Sequence, residues 1–199
     1  MAVRTRRRGL AAAATVLAVV VGATGCSLRG SGYQYVRSPK TGTYLKLPDD
    51  WQVKDLAIEG IAFGRQFNPP TGEDRQIADL FTRDTPGGFV RVVALSVASQ
   101  DAVSLSAARN SMFDIDAGLE SGEMRLLDGD ELRQPGFRGQ HVVVNTQVGD
   151  GVITIDQTTF LDADSKRLYH LVIGCQSDCY ERHKKDIETV AESLTLKEP

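Results

Sequence analysis

The chain has 199 residues, of which 23 are Lys or Arg and 26 are Asp or Glu, so its formal net charge is −3. Its composition, 41% apolar and 25% charged, is that of a globular protein, and the sequence contains no low-complexity tract and no internal repeat. An acidic balance disfavours nucleic acid and anionic lipid headgroups as main partners, because both select for clustered basic side chains.

The first 25 residues have the pattern of an export signal. Four arginines precede the apolar run Leu10–Val21, and the small residues Gly22–Gly25 follow it. The segment Ala23–Cys26 resembles the lipobox of bacterial lipoproteins, in which the cysteine receives a diacylglyceryl group. We therefore predict a lipoprotein signal peptide over residues 1–25 and lipidation at Cys26. Palmitate is an expected acyl chain of the attached lipid. Without the four leader arginines the chain keeps 19 basic against 26 acidic residues, a net charge of −7.

Two other interpretations of the leader stay open. Ordinary signal peptidase would leave Cys26 as a free thiol, and an uncleaved leader would act as an anchor helix. The second is disfavoured because an apolar run of twelve residues falls short of the roughly 20 that span a bilayer. The arginines also resemble a twin-arginine signal, so the export route, general secretory or twin-arginine, is not decided.

Lipidation predicts where the folded part works. Two acyl chains are enough for stable attachment without a transmembrane helix. The six residues Ser27–Gly32, between the lipidated cysteine and the domain, span at most about 20 Å when extended. We thus expect residues 26–32 to be a short flexible tether and residues 33–199 to form one domain on the extracytoplasmic face of the cell membrane.

The other two cysteines, Cys175 and Cys179, form an even pair in an oxidising compartment, which favours a disulfide between them. Two alternatives stay open. The pair with His183 has a four-residue spacing that soft metal ligands can use, and both sulfurs can instead remain free thiols.

The first half of the domain is predicted to be mainly β-structure. Alternation and flanking turn residues indicate the strands Tyr33–Arg37, Thr43–Leu47, Ile58–Phe67 and Phe89–Ala98, with a weaker one at Ile77–Arg83. Trp51, the only tryptophan, is interpreted as a core anchor.

Helical periodicity follows, with one apolar stripe that predicts a single helix. Ser104 is its expected N-cap and Gly122 its expected stop. The stripe consists of Leu105, Ala108, Met112, Ile115 and Leu119.

The second half is predicted to contain four strands, of which the last three form an antiparallel meander, and a closing helix. The expected strands are Met124–Leu127, Gln140–Val148, Val152–Leu161 and Arg167–Cys175. Asp178, with Glu181 three residues later, is a candidate N-cap of the last helix, and Leu194–Lys197 is expected to be a short final strand. Mostly antiparallel strands with two separated helices predict an α+β sandwich.

The segment Pro39–Trp51, with its turn glycine, apolar strand, proline and tryptophan, resembles the opening motif of PsbP-like domains. Leu168–Gly174 and the helix after it are similar to the last strand and helix of that family, so the resemblance spans Tyr33–Lys197. It implies an α/β/α sandwich around an antiparallel sheet, as in the extrinsic photosystem subunit, a nuclear GTPase-binding factor and actinobacterial lipoproteins of the Lpq type. Such proteins bind partners and are not known as a catalytic class. Asp50 and the cysteine pair depart from the family pattern. The family has no shared functional residue that could be assigned to a position in this chain.

No motif of a hydrolase, a nucleotide-binding protein or a zinc enzyme is present, so we expect no catalytic residue, no metal site and no cofactor. The three histidines, His141, His170 and His183, are interpreted as packed, hydrogen-bonded residues. Asp162–Ser165 is interpreted as a hairpin turn and not as a calcium loop. The acidic pairs in Glu73–Asp74 and Asp128–Glu131 are interpreted as solvated loop charges.

The leading functional hypothesis is a non-enzymatic lipoprotein that serves as a binding or assembly module for a cell-envelope or membrane partner, with a protein partner and no nucleic acid. One alternative is a lipid or glycolipid carrier with an apolar cavity lined by Met112 and Phe113. A second alternative is a redox or metal protein that uses Cys175 and Cys179. The sequence identifies no ligand-binding residue.

Overall fold

The computed structural model describes residues 32–57, 61–69, 79–101 and 103–198. The predicted signal peptide, Cys26 and nearly all of the tether lie outside the described residues. So do most of the loop after β4, Glu73 and Asp74, and the start of two predicted strands.

Within these described ranges, seven antiparallel strands form the main sheet, in the order β3-β4-β5-β9-β8-β7-β6. The strands β6 to β9 follow each other as a meander, which the sequence predicted for β7 to β9. Their bounds are β3 Gln52–Asp55, β4 Ile61–Asn68, β5 Gly87–Ala94, β6 Met124–Gln134, β7 Phe137–Val148, β8 Gly151–Asp162 and β9 Arg167–Gln176.

A second sheet contains three short antiparallel strands in the order β1-β2-β10. They are β1 Tyr33–Ser38, β2 Thr43–Pro48 and β10 Thr195–Leu196. Leu45 and Leu47 of β2 point inward and are fully buried, while Tyr44 and Lys46 alternate onto the outer side. This is the alternation predicted from the sequence.

Four helices are present in the described residues: α1 Val97–Gln100, α2 Leu105–Asn110, α3 Ile115–Ser121 and α4 Ser177–Glu192. In this part of the chain no helix is long and apolar enough to cross a membrane.

Helices cover both faces of the main sheet. On one face, the core joins strand residues such as Leu171 and Ile173 to Ile187 and Val190 of α4 and to Leu45 of the small sheet. On the other face, smaller clusters join strand residues to α2 and α3. The domain is thus an α+β sandwich, as predicted.

The predicted single central helix is in fact two helices. Ser104 caps α2 and Gly122, with φ 78°, ends α3, both as predicted, but Asp114 starts a new helix by accepting a hydrogen bond from the Ala117 amide. The break has a packing reason. Ala108 of α2 packs with Leu161 and Leu168, whereas α3 packs on a different cluster that includes Val142 and Ile155.

Other element predictions were wrong in extent or type. The described part of Ile77–Arg83, from Asp79 on, is not a strand, although Leu80 is fully buried. The strand β3 was not predicted, β5 ends before α1, and β6 continues through the acidic stretch that was interpreted as a loop. Helix α4 begins one residue before Asp178, which lies in its first turn and is not the N-cap.

Candidate functional site

A cleft opens between α4 and the strands β6, β7 and β8, with a volume of about 270 Å³. Five of its lining side chains are carboxylates, and one is a histidine. We call it the acidic cleft, and its lining residues are Asp128, Asp130, Leu132, His141, Asp156, Thr158, Glu188, Ala191 and Glu192.

The sheet register brings these side chains to one face. Asp130 of β6 is paired with His141 of β7, and His141 is paired with Thr158 of β8. Paired residues of antiparallel strands share a face, so a row of polar side chains crosses three strands at this point. Asp156, two residues before Thr158, lies on the same face because side chains alternate along a strand.

Asp156 is the buried centre of the cleft, with only 2% of its surface exposed. Its Oδ1 lies 2.8 Å from Nε2 of His141, and its Oδ2 accepts a 3.1 Å hydrogen bond from the Tyr180 hydroxyl of α4. Both carboxylate oxygens therefore have a partner, which offsets the cost of burying the group. The carboxylate joins the sheet to the helix.

The electrostatics of the cleft favour positive charge. Burial alone would lower the pKa of His141, but the hydrogen bond and charge of Asp156, together with the charges of Asp128 and Asp130, outweigh burial and raise it. Burial, followed by the charge of Asp156, raises the pKa of Tyr180, so this phenol stays a neutral donor. A cluster of carboxylates that stabilises an imidazolium can stabilise another cationic group in the same way.

A second polar cluster lies on the opposite face of the main sheet, beneath α2. His170 is fully buried, with Nδ1 3.2 Å from the Thr159 hydroxyl and Nε2 3.0 Å from the Ser111 hydroxyl. Gln157 donates to Thr159 and to the main-chain oxygen of Arg109. His170, Thr159 and Gln157 lie inside the sandwich and Ser111 lies at its exposed edge, and together they hold α2 on the sheet, as predicted for a packed histidine.

A disulfide joins Cys175 at the end of β9 to Cys179 in the first turn of α4. Both sulfurs are fully buried, so in this structure they are bonded to each other and are not presented as thiols. His183 lies half-buried on the next turn of α4. In the described residues, no group of three or more His, Cys, Asp or Glu side chains has the geometry to hold a metal ion.

Three further sequence interpretations can be compared with the structure. Trp51 is buried and stacks on Phe67 with a ring-centroid separation of 5.7 Å, as expected for a core anchor. The Asp162 carboxylate accepts from the amides of Lys166 and Arg167, which is the hairpin-turn geometry predicted. Met112 and Phe113, proposed to line a lipid cavity, are half-buried and pack against a core cluster.

Sequence reasoning did not find the acidic cleft. It interpreted Asp128–Glu131 as a solvated loop and did not single out Asp156. A signal was present, since Asp156–Thr159 are four consecutive polar residues within an apolar strand. Such residues are rarely buried without partners, so they mark two polar clusters, one on each face of the sheet.

No protein-family model and no curated protein matches the sequence. Solved structures do match. CyanoP, the PsbP protein of the cyanobacterium Synechocystis sp. PCC 6803, is 16% identical with a TM-score of 0.58, and the match covers 89% of this chain and 99% of that one. LpqN of Mycobacterium tuberculosis, a protein involved in cell envelope biogenesis, is 13% identical with a TM-score of 0.53, and the match covers 83% of this chain and 91% of that one. The domain therefore has the PsbP-like fold, which it shares with an Lpq-type protein.

Proposed function

We propose that this protein is a membrane-anchored extracytoplasmic lipoprotein whose PsbP-like domain is a non-enzymatic binding or assembly module for a partner at the cell envelope. The observation that carries the proposal is the position of Cys26, directly after the predicted export signal and separated by six residues from the folded domain. The fold, shared with LpqN, supports an envelope role.

Lipidation is tested by replacing Cys26 with serine. We expect the parent protein to incorporate labelled palmitate and to fractionate with membranes, and Cys26→Ser to lose the label and most of its membrane association. The physical reason is that each buried methylene of an acyl chain contributes about 0.8 kcal/mol to membrane affinity.

The matched control is Ser27→Ala, which changes the neighbouring residue and keeps the thiol. If the parent takes up no palmitate, or if Cys26→Ser is processed and fractionated like the parent, the anchor is wrong.

For the partner, we propose that a cationic side chain enters the acidic cleft. The cleft places Asp128, Asp130 and Glu188 around an opening whose floor is the buried Asp156. Lysine and arginine side chains have the length and charge to reach such a floor from another protein. The apolar lining by Leu132 and Ala191 suits their methylene stems.

Crosslinking in intact cells tests the cleft. We expect the variant Asp128→Asn/Asp130→Asn to capture a protein partner roughly tenfold less than the parent, because two attractive charges of about 0.5–1 kcal/mol each are removed. Asparagine is close to aspartate in size, so the fold should be retained.

The control for this experiment is Glu120→Gln/Glu123→Gln, which removes the same net charge from exposed residues in and just after α3. Equal loss of capture in both variants would show that only net charge matters. Capture of nothing but bulk lipid by the parent would count against a protein partner.

A further inference from the structure

The outer side of the small sheet has an unusual composition. Its side chains are three tyrosines and three cations, accompanied by Pro48 and Thr195. We call this surface the tyrosine–cation face, and its six defining residues are Tyr33, Tyr35, Arg37, Tyr44, Lys46 and Lys197.

Register and burial place these side chains together. Tyr35 is paired with Lys46, and Arg37 is paired with Tyr44, across β1 and β2. Tyr35 is 70% exposed, and the alternate residues Val36 and Leu45 are buried beneath the sheet. The face is therefore a solvent-facing surface on a rigid support.

Two of the three cations lie over aromatic rings. Nζ of Lys46 is 3.8 Å from the ring centroid of Tyr33, and Nζ of Lys197 is 5.2 Å from that of Tyr44. These contacts hold the ammonium groups close to the plane of the face. Tyrosine and lysine are the residues that stabilise proteins at a membrane–water interface, because each has an apolar body and a polar tip.

The charge of the protein is distributed unevenly. The net charge of −7 after removal of the leader argues against contact with anionic lipids, but the residues that alternate onto this face include no acid. The nearest acids in sequence are Glu198, which follows Lys197 and lines a separate pocket with Gly136 and Phe137, and Asp49 and Asp50, which lie in the turn after β2. Screening over about 8 Å at physiological salt makes the local charge of a face more important than the net charge of the whole protein.

From these observations we propose that the tyrosine–cation face lies on the membrane surface and binds anionic lipid headgroups. The inference rests on the proposed lipid anchor, because the tether ends at β1 and spans at most about 20 Å from Cys26, which keeps this face near the headgroups. The face then fixes the orientation of the domain on the bilayer and leaves the main sheet and α4 to other contacts.

Binding to vesicles of the unlipidated Cys26→Ser protein, expressed without residues 1–25 so that the basic and apolar leader cannot contribute, tests this face separately from lipidation. The probes are vesicles of equal parts phosphatidylglycerol and phosphatidylcholine, and vesicles of phosphatidylcholine alone. We expect binding to the anionic vesicles at low salt, weaker binding at high salt, and little binding to phosphatidylcholine. Adding Arg37→Gln/Lys46→Gln/Lys197→Gln should weaken binding to the anionic vesicles about a hundredfold, since each cation near an anionic surface contributes about a factor of five.

The matched control adds Arg125→Gln/Lys184→Gln/Lys185→Gln, which removes three exposed cations elsewhere and gives the same net charge. Its binding should stay within a few-fold of the Cys26→Ser protein. The proposal is overturned if the anionic vesicles are not bound at low salt, if both triple variants lose binding equally, or if phosphatidylcholine is bound as well. If palmitate labelling fails but vesicle binding is normal, the proposed lipid anchor is wrong, whereas the proposed lipid binding by the tyrosine–cation face is supported.

Discussion

Replacing Asp156 with alanine is expected to lower the free energy of unfolding by about 3 kcal/mol. The substitution leaves two donors, His141 and Tyr180, without their common acceptor, and each unsatisfied buried group costs roughly 1–3 kcal/mol. It also opens a small void at a position that is 2% exposed. Urea unfolding of the purified protein at pH 7, followed by circular dichroism, measures the change.

The pH dependence of the unfolding free energy distinguishes the effect of the Asp156 charge from the effect of its side-chain volume. Because the folded pKa of His141 is raised above 6.5, its contribution to stability is fully present below about pH 6.5 and is lost as the pH rises through the folded pKa. The groups that face His141 are Asp128 and Asp130 on β6, Asp156 and Thr158 on β8, and Glu188, Glu192 and Tyr180 on α4.

The conservative variant Asp156→Asn provides the control. It keeps the shape but removes the charge, so it should lose less stability than alanine and should also lose most of the pH dependence above 6.5. If Asp156→Asn keeps the parent's pH profile, then the charge of Asp156 does not stabilise His141.

Elements with strong local signals were predicted well from the sequence. The meander β7-β8-β9 was predicted because long apolar strands are separated by short turns with glycine or aspartate, and the turn at Asp162 has the hydrogen bonds that its sequence favours. The caps Ser104 and Gly122 were predicted for the same reason, since each acts through its own backbone neighbourhood.

The errors occurred where tertiary packing overrides local pattern. One apolar stripe predicts one helix, yet Asp114 can cap a new helix and two separate clusters on the sheet require two directions of packing. Leu80 and Phe81 gave an apolar run that looked like a strand, but they anchor an irregular segment in the core. Periodicity does not distinguish these cases.

The acidic cleft could not be predicted from local sequence patterns. Asp130, His141 and Asp156 are separated by many residues and meet only through the register of three strands. The acidic stretch of β6, Asp128–Glu131, has the composition of a loop, and it forms a strand because it pairs with Gln140–Val143 of β7. In contrast, the tyrosine–cation face follows from simple alternation along β1 and β2, once those strands are known to form the outer sheet.

The second large effect concerns His170, on the other face of the main sheet. Its hydrogen-bond partners require that the imidazole ring of His170 is neutral. The Ser111 hydroxyl donates to the Ala108 carbonyl, so it accepts from Nε2, while the Thr159 hydroxyl accepts from Gln157 and donates to Nδ1. A proton on Nδ1 would break this arrangement, and burial, with the nearby charge of Arg91, lowers the pKa of His170 to about 3.

We therefore expect acid to destabilise the protein through His170. Its folded pKa lies below the ordinary value of 6.5, so between pH 6.5 and pH 3 the unfolded chain binds a proton that the native protein does not. Stability must fall with decreasing pH over this window, with a contribution that approaches about 1.4 kcal/mol per pH unit. Urea unfolding at several pH values measures the slope, and His170→Asn, which cannot be protonated there, should be less stable at pH 7 but should show a smaller slope.

The two histidines give opposite signals in one experiment. In a proton NMR titration, the ring resonances of His141 should shift with a midpoint above pH 6.5, because the carboxylates around it favour its charged form. Those of His170 should remain unchanged from pH 7 down to about pH 4, as long as the protein is folded. A midpoint for His170 near 6.5 in the folded protein would show that water reaches this ring, and the burial of His170 beneath α2 would then be wrong.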